Sequence, residues 1–349
     1  MPAMVGGFGN ISSILSLNNN FNSSNYSFSN MSYCLASNKI ESQTENSNLK
    51  LGSYLAGLIE GDGTFSIQDS HSTGKKFAPM IIIVFKKADL PLAKYLQELT
   101  TCGTVQIKAD RGYVLWQIQD IVGVYTIVTI INGYMRTPKI EALGRTINWL
   151  NNYIDMNKNS KLHITKSILS KINRLEIKGL DESTIDSNSW FSGFSDADAN
   201  FSINIHTRSN RNSTRVQLYY RLEIRQNYHR LDNNGEQISF FPIMSKIAEC
   251  FDTSVLSRSR IKGDKRYFSF IVICSNKTSL IKIIEYFYKF PLLSSKYLDY
   301  KDWSKLLELQ LTNSRTTSYL EVALNVRKDF NSTRTSYNWN HLKNCYLKR

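Results

Sequence analysis

Two carboxylates hold the same place in two near-copies of one segment. Residues 55–65 read LAGLIEGDGTF and residues 191–201 read FSGFSDADANF. Each copy is an apolar stretch with small residues four apart, then an acidic pair, then a Phe (Phe65, Phe201) that opens an alternating run. Asp62 and Asp198 are equivalent positions, 136 residues apart. A repeat at that distance is too long for a solenoid unit and points to two similar domains, each ending one helix in a carboxylate. Gly57 and Gly61 share a helix face, as do Gly193 and Ala197, and small residues at that spacing let two helix backbones approach closely. Packing the matched segments against each other brings Asp62 and Asp198 together near a pseudo-twofold axis. Adjacent carboxylates repel, so one is pushed to a raised pKa unless a cation sits between them. Oxygen-only ligands with phosphate nearby suit Mg²⁺, and phosphodiester hydrolysis uses such ions to activate water and stabilise the leaving oxygen.

These two segments resemble the two signature motifs of the LAGLIDADG homing endonucleases, and the resemblance covers roughly residues 50 to 311. It implies an α+β fold of two pseudo-symmetric αββαββα domains with saddle-shaped antiparallel sheets, acting on long sites in double-stranded DNA. It also implies that Asp62 and Asp198 are the catalytic, metal-binding residues, one per DNA strand. Glu60 and Asp196, the earlier member of each acidic pair, then have structural or supporting roles, because the family places the ligand at the later position. Gln226 resembles a polar position that lines the family's active site. The second motif departs from the pattern at Ser192, where the family has Ala, and at Ala199, where it ends in Gly; the tightness of that second turn is therefore open. Some family members assist intron splicing. The resemblance thus supports an intron-homing DNA endonuclease, with an RNA maturase for its own group I intron, or a decayed DNA-binding relative, as alternatives.

Composition agrees with a polyanionic partner. The chain of 349 residues has 43 Lys and Arg against 29 Asp and Glu, a formal net charge of +14. Such an excess favours nucleic acid. Residues 201–270 alone carry 12 basic against 6 acidic side chains. Cys34, Cys102, Cys250, Cys274 and Cys345 form no C-x-x-C pair, which argues against a zinc site or a disulfide framework. No apolar run approaches the roughly 20 residues that cross a bilayer, so no membrane partner is expected.

The elements that must position the carboxylates follow from periodicity. Each half reads as helix, two strands, helix, two strands, helix, and the chain divides into 50–153, a connection over 154–188, and 189–311. In the first half the pattern predicts a motif helix over 51–61, strands over 64–69, 79–87, 102–108 and 112–119, and helices over 90–100, 120–132 and 138–153. In the second half, Val216, Leu218, Tyr220, Leu222 and Ile224 alternate with Arg215, Gln217, Tyr219, Arg221, Glu223 and Arg225, the clearest strand in the chain. Outward polar residues on two twisted sheets can donate to phosphates and read base edges in the major groove. Asn204, Arg215, Gln217, Arg221, Arg225 and Arg258 are the candidates in the second half, and Gln68, Lys75, Lys86, Lys108 and Gln117 in the first. With both halves in one chain, a monomer is expected.

The two ends of the chain differ from this plan. Residues 1–49 read as an exon-like start and a disordered Ser/Asn-rich tail; 11 Ser and 9 Asn fill more than half of residues 11–48, too little apolar surface to offset ordering entropy. The first ten residues, MPAMVGGFGN, resemble a segment of cytochrome c oxidase subunit 1. A reading frame running from an oxidase-gene exon into an intron accounts for them and places synthesis inside mitochondria. Beyond about residue 312 the pattern weakens to what reads as a polar, basic tail.

Overall fold

The computed structural model describes residues 43–68, 77–208, 213–232, 234–313 and 317–347. Helix α1 (Gln43–Asp62) carries the first motif and runs directly into strand β1 (Gly63–Ser66). Strand β2 (Met80–Lys86) pairs antiparallel with β1, Gly63 opposite Ile83. Helix α2 (Leu90–Thr100) has a Pro in its first turn and ends at Thr101 in the left-handed region, φ 55°. It leads to the hairpin β3 (Thr104–Lys108) and β4 (Tyr113–Ile118), closed by Gly112 at φ 71°. The sheet order is β1-β2-β4-β3. Helix α3 (Ile121–Ile131) forms despite its β-branched content: Asp120 caps it by accepting from Gly123 N at 2.6 Å, and Val124, Ile127, Val128 and Ile131 are buried. Burial of an apolar face overrides weak intrinsic propensity here. Helix α4 (Ile140–Asn157) completes the half.

The second half repeats the plan. Helix α6 (Trp190–Asp198) carries the second motif, followed by β5 (Ala199–Arg208) and β6 (Ser213–Arg225). After helix α7 (Phe241–Cys250) come β9 (Val255–Lys262) and β10 (Lys265–Cys274), then helices α8 (Lys277–Lys289) and α9 (Lys296–Asn313). Sheet order is β5-β6-β10-β9, the same topology as the first sheet. Ala199 opposes Leu222 as Gly63 opposes Ile83, so the registers match as well. The predicted alternation along β6 is realised: Val216, Leu218, Tyr220, Leu222 and Ile224 are all buried. Residues 44–349 form one compact unit, and no helix among the described residues is long and apolar enough to cross a membrane.

Three features depart from the expected pattern. A hairpin of β7 (Asn227–Leu231) and β8 (Gln237–Ser239) is inserted between β6 and α7, with no counterpart between β2 and α2. The connection over 154–188 holds a helical piece where one is expected, around 161–175, as α5 (His163–Leu169), but the segment after it packs onto the first half, where Arg136 pairs with Asp181 at 2.8 Å and Asn132 donates to Glu176 O at 2.7 Å. Finally, residues 317–347 are not a solvated tail. Helix α10 (Thr317–Lys328) lies on β5, β6 and α9, and Tyr319, Ala323, Phe330, Leu342, Cys345 and Leu347 are buried. Arg334 pairs with Asp299 at 2.7 Å and Asp302 at 2.5 Å. Tyr319 and Ala323 keep a helical spacing within α10, but Phe330, Leu342, Cys345 and Leu347 follow it at irregular intervals that neither a helical nor a strand template detects. The stretch expected to stay disordered up to residue 49 instead enters helix α1 at Gln43; its part up to residue 42, Cys34 and the turn expected at 72–76 lie outside the described residues.

Candidate active site and nucleic-acid face

The two motif helices meet backbone to backbone. A Cβ added to Gly57 would stand 2.0 Å from Trp190 O and 2.8 Å from Phe194 N. A Cβ on Gly193 would meet Tyr54 O at 2.0 Å and Leu58 N at 2.8 Å. Tyr54, Leu58 and Gly57 correspond to Trp190, Phe194 and Gly193 in the repeat, so the contact is its own pseudo-twofold image. Ser53 and Ser189, also equivalent, share a buried hydrogen bond of 2.8 Å on that axis. One turn further on, a Gly61 Cβ would lie 2.2 Å from Ala197 Cβ and 3.1 Å from Asp198 Oδ2. The α6 carboxylate therefore sits against the end of α1. Ala199 does not loosen the second turn: it leaves the helix at φ −83°, ψ 161°, which alanine adopts freely, and its N–H caps Ser195 O.

The earlier acidic residues are buried pivots. Glu60 accepts from Arg136 N at 3.0 Å, Thr137 N at 2.6 Å and Trp190 Nε1 at 2.5 Å. Asp196 accepts from Leu293 N at 2.8 Å, Ser294 Oγ at 2.5 Å and Tyr54 Oη at 2.8 Å. Each takes its aromatic donor from the opposite motif helix, at equivalent positions 54 and 190. Burial pushes the Glu60 carboxyl above its ordinary value, and the Thr137, Trp190 and Arg136 donors hold it back. Each of these partners donates, so the pocket is built for acceptor oxygens. A Glu60→Gln variant keeps the shape but turns an NH₂ toward these donors. Leaving buried donors unpaired costs about 2–3 kcal/mol, so thermal unfolding should move to lower temperature; an unchanged midpoint would contradict this role.

Asp62 and Asp198 cap the convergence. Burial and then the Asp198 charge raise the Asp62 pKa to about 6, against the pull of Lys296 and Lys139. Burial likewise raises Asp198, opposed by Lys296, Lys139 and Arg225. The two lysines are the residues that sequence reasoning missed. Lys139 Nζ donates to Ile59 O at 3.0 Å, Glu60 O at 2.7 Å and Gly63 O at 2.9 Å. Lys296 Nζ donates to Ser195 O at 3.1 Å and Ala197 O at 2.7 Å. Each thus caps the carbonyl end of one motif helix, where a cation opposes the helix dipole. Burial lowers the pKa of both, and the Asp62 and Asp198 charges work against that lowering. The only signal available in the sequence was their matched position, Lys139 immediately before α4 and Lys296 at the first residue of α9.

A cavity of about 550 Å³ opens on this centre, lined by Asp62, Asp198, Lys139, Glu223, Arg225 and His229 among others. Gln226 does not join it: its amide donates to Ser257 Oγ at 2.6 Å, on β9. Strand alternation explains the exchange, since Arg225 points to the open face and its neighbour cannot.

The open faces of the two sheets differ in charge. Pairing places Lys86, Tyr113 and Lys108 in one row of the first sheet, and Thr64, Ile82, Gln117 and Thr104 in another. Gln68 follows the end of β1, and Lys75 lies outside the described residues. On the second sheet, Asn204 opposes Gln217, and Arg225, Ser269 and Arg258 form a row; Arg215 and Arg221 share this face with them. Arg260 and Lys262 extend the same face along β9. The expected DNA-facing residues that are described therefore lie on the two open faces or, for Gln68, at the edge of the first. The cationic weight falls on the second.

The sequence pattern that defines the LAGLIDADG endonucleases matches residues 55–150 and 191–307. The chain is 46% identical over 361 residues to an intron-encoded DNA endonuclease, aI3, of Saccharomyces cerevisiae, covering 100% of this chain and 82% of that protein. It is 30% identical over 268 residues to an uncharacterised cox1 intron-2 protein of Schizosaccharomyces pombe, covering 77% and 68% of the two. Among solved structures, the LAGLIDADG homing endonuclease I-GzeII in complex with its DNA target superposes with a TM-score of 0.59 at 17% identity, over 81% of this chain and 99% of that one. The I-SmaMI enzyme bound to cleaved DNA gives 0.57 at 16% identity, over 81% and 98%.

Proposed function

This chain belongs to the LAGLIDADG endonuclease family, and from that premise we propose that it is a site-specific DNA endonuclease that makes a double-strand break at an intron insertion site. The observation that carries the reading is the convergence of Asp62 and Asp198 at the paired ends of α1 and α6, beside two sheets whose open faces carry cations. A carboxylate pair with no third His, Cys, Asp or Glu grouped for metal binding among the described residues fits a divalent ion that keeps most of its ligands from water and phosphate. That habit is Mg²⁺'s. The repulsion that lifts Asp62 is what such an ion would relieve.

Asp62 and Asp198 would hold the ion, which when bound supplies Lewis acidity for phosphodiester hydrolysis. Lys139 and Lys296 fix the helix ends that carry the carboxylates. Arg225, exposed at the cavity wall, is placed to receive a backbone phosphate. The pseudo-twofold relation provides one such arrangement for each strand of the duplex. One chain contributes both halves, so the working form is a monomer. The oxidase-like first ten residues make the uninterrupted oxidase gene the target and the mitochondrial matrix the place of action.

The test incubates the full chain with Mg²⁺ and a duplex spanning that uninterrupted oxidase-gene site. A discrete double-strand break, absent when the metal is chelated, is the expected result. Tight binding to the intron RNA without any break would move the assignment to a maturase.

A further inference from the structure

One carboxylate sits among the arginines on the open face of the second sheet. Glu223, on the open face of β6, has a side chain only 20% exposed. Arg260 Nη2 donates to both of its oxygens, at 2.7 and 2.6 Å. Arg221 bonds the same carboxylate, Ser269 Oγ donates to it at 2.7 Å, and Arg258 Nη1 lies 3.7 Å away. On the β10 and β9 side of the ladder it faces Ile271 and then Leu256, an apolar bed. Partial burial pushes the carboxyl up, but Ser269, Arg221 and Arg260 outweigh it and hold it below its ordinary value.

The first sheet has nothing equivalent. The matched registers put Val84 where Glu223 stands and Ile82 where Arg221 stands. Both Val84 and Glu223 border the catalytic cavity. For bulk DNA affinity an acid at this place is unfavourable, because it cancels cationic charge facing phosphates. Its benefit must lie elsewhere. An unpaired surface arginine samples many rotamers, whereas one tethered to a carboxylate presents its remaining N–H groups in a fixed plane, the arrangement that reads a base edge or phosphate bidentately.

We propose that Glu223 is a specificity-determining positioning residue: it holds Arg221 and Arg260 in one orientation so that the second sheet discriminates its half-site from other DNA. The proposal rests on the endonuclease reading above. It makes affinity and discrimination move in opposite directions. Losing the carboxylate removes a negative charge from the face and frees two arginines, so non-specific binding should strengthen while selective binding weakens.

The experiment uses the full chain, a duplex selected from a random library for cleavage by the unaltered protein, and a shuffled duplex of the same length. Binding is measured with Mg²⁺ withheld. For Glu223→Gln, affinity for the shuffled duplex should rise about two- to threefold through the lost charge. The selected-to-shuffled ratio should fall about tenfold, the scale of one bidentate contact. Glu223→Asp keeps the charge and shortens the reach, so its ratio should fall without the gain on shuffled DNA. Equal changes on both duplexes for Glu223→Gln, in either direction or none, would overturn the proposal and leave Glu223 as a charge on the surface. If the unaltered protein does not distinguish the two duplexes, the site-specific reading itself fails and this role falls with it.

Discussion

Asp62→Asn should abolish double-strand cleavage while DNA affinity stays within about threefold of the unaltered protein. Asparagine is nearly isosteric with aspartate, so the contact at the ends of α1 and α6 survives. What changes is charge. One of the two carboxylates proposed to hold a divalent ion becomes neutral, and an amide is a much weaker ligand for a hard cation. Metal stabilisation of a phosphoryl transition state contributes several kcal/mol. At about 1.4 kcal/mol per tenfold, this corresponds to a loss of roughly a thousandfold in rate. Binding draws instead on the sheet faces, where Arg215, Arg225 and Arg258 are exposed, and removing an anion can only help it. Asp198→Asn should behave alike, since burial and the same lysines act on both groups. Supercoiled plasmid carrying the target reads the result directly. Linear product at the unaltered rate would sink the assignment, and a nicked product would show that one carboxylate serves one strand.

The second large effect is on stability. Gly57→Ala in an exposed helix would stabilise by about 1 kcal/mol, because alanine has the best helix propensity and glycine nearly the worst. Here the sign reverses. The new methyl would stand 2.0 Å from Trp190 O and 2.8 Å from Phe194 N, both backbone atoms that no rotamer change can move. The helices must separate, which undoes the packing of Tyr54 and Trp190 and the hydrogen bonds they give to Asp196 and Glu60. Overpacking costs about 1–3 kcal/mol, and the lost buried hydrogen bonds add about 1–3 kcal/mol more. Against a usual total of about 5–15 kcal/mol, this removes a large fraction of the stability margin and moves the unfolding midpoint well down. Gly193→Ala should match it, by the same contact seen from the other side. A midpoint of chemical denaturation equal to that of the unaltered chain would refute the close approach.

Much of this architecture is legible in the sequence alone. The duplicated segment located both carboxylates and the small residues between the helices. Alternation along β6 assigned each side chain to its face, and the order of helices and strands held in both halves. Such readings succeed because they depend on periods of two and about four residues, which the local backbone imposes wherever it lies. The inserted β7–β8 hairpin was missed because its strands are five and three residues long and mostly polar. The buried anchors beyond α10, from Phe330 to Leu347, were missed because their spacing has no period.

By itself, then, the sequence determined the repeat, the fold class, the place of Asp62 and Asp198, and the basic character of the second sheet. Only the tertiary structure decided which groups surround those carboxylates. Glu60 meets Trp190 across 130 residues and Asp196 meets Tyr54 across 142. Lys139 and Lys296 reach back to the ends of α1 and α6 across gaps of 79 and 99. Arg225 took the place in the cavity expected of Gln226, and Glu223 gathered arginines from its own strand and from β9. The physical reason is common to all of them. A periodic pattern records what each element does with its own neighbours, whereas a helix cap, a buried carboxylate's donors or an ion-paired cluster is assembled where distant elements cross, and no local period records that crossing.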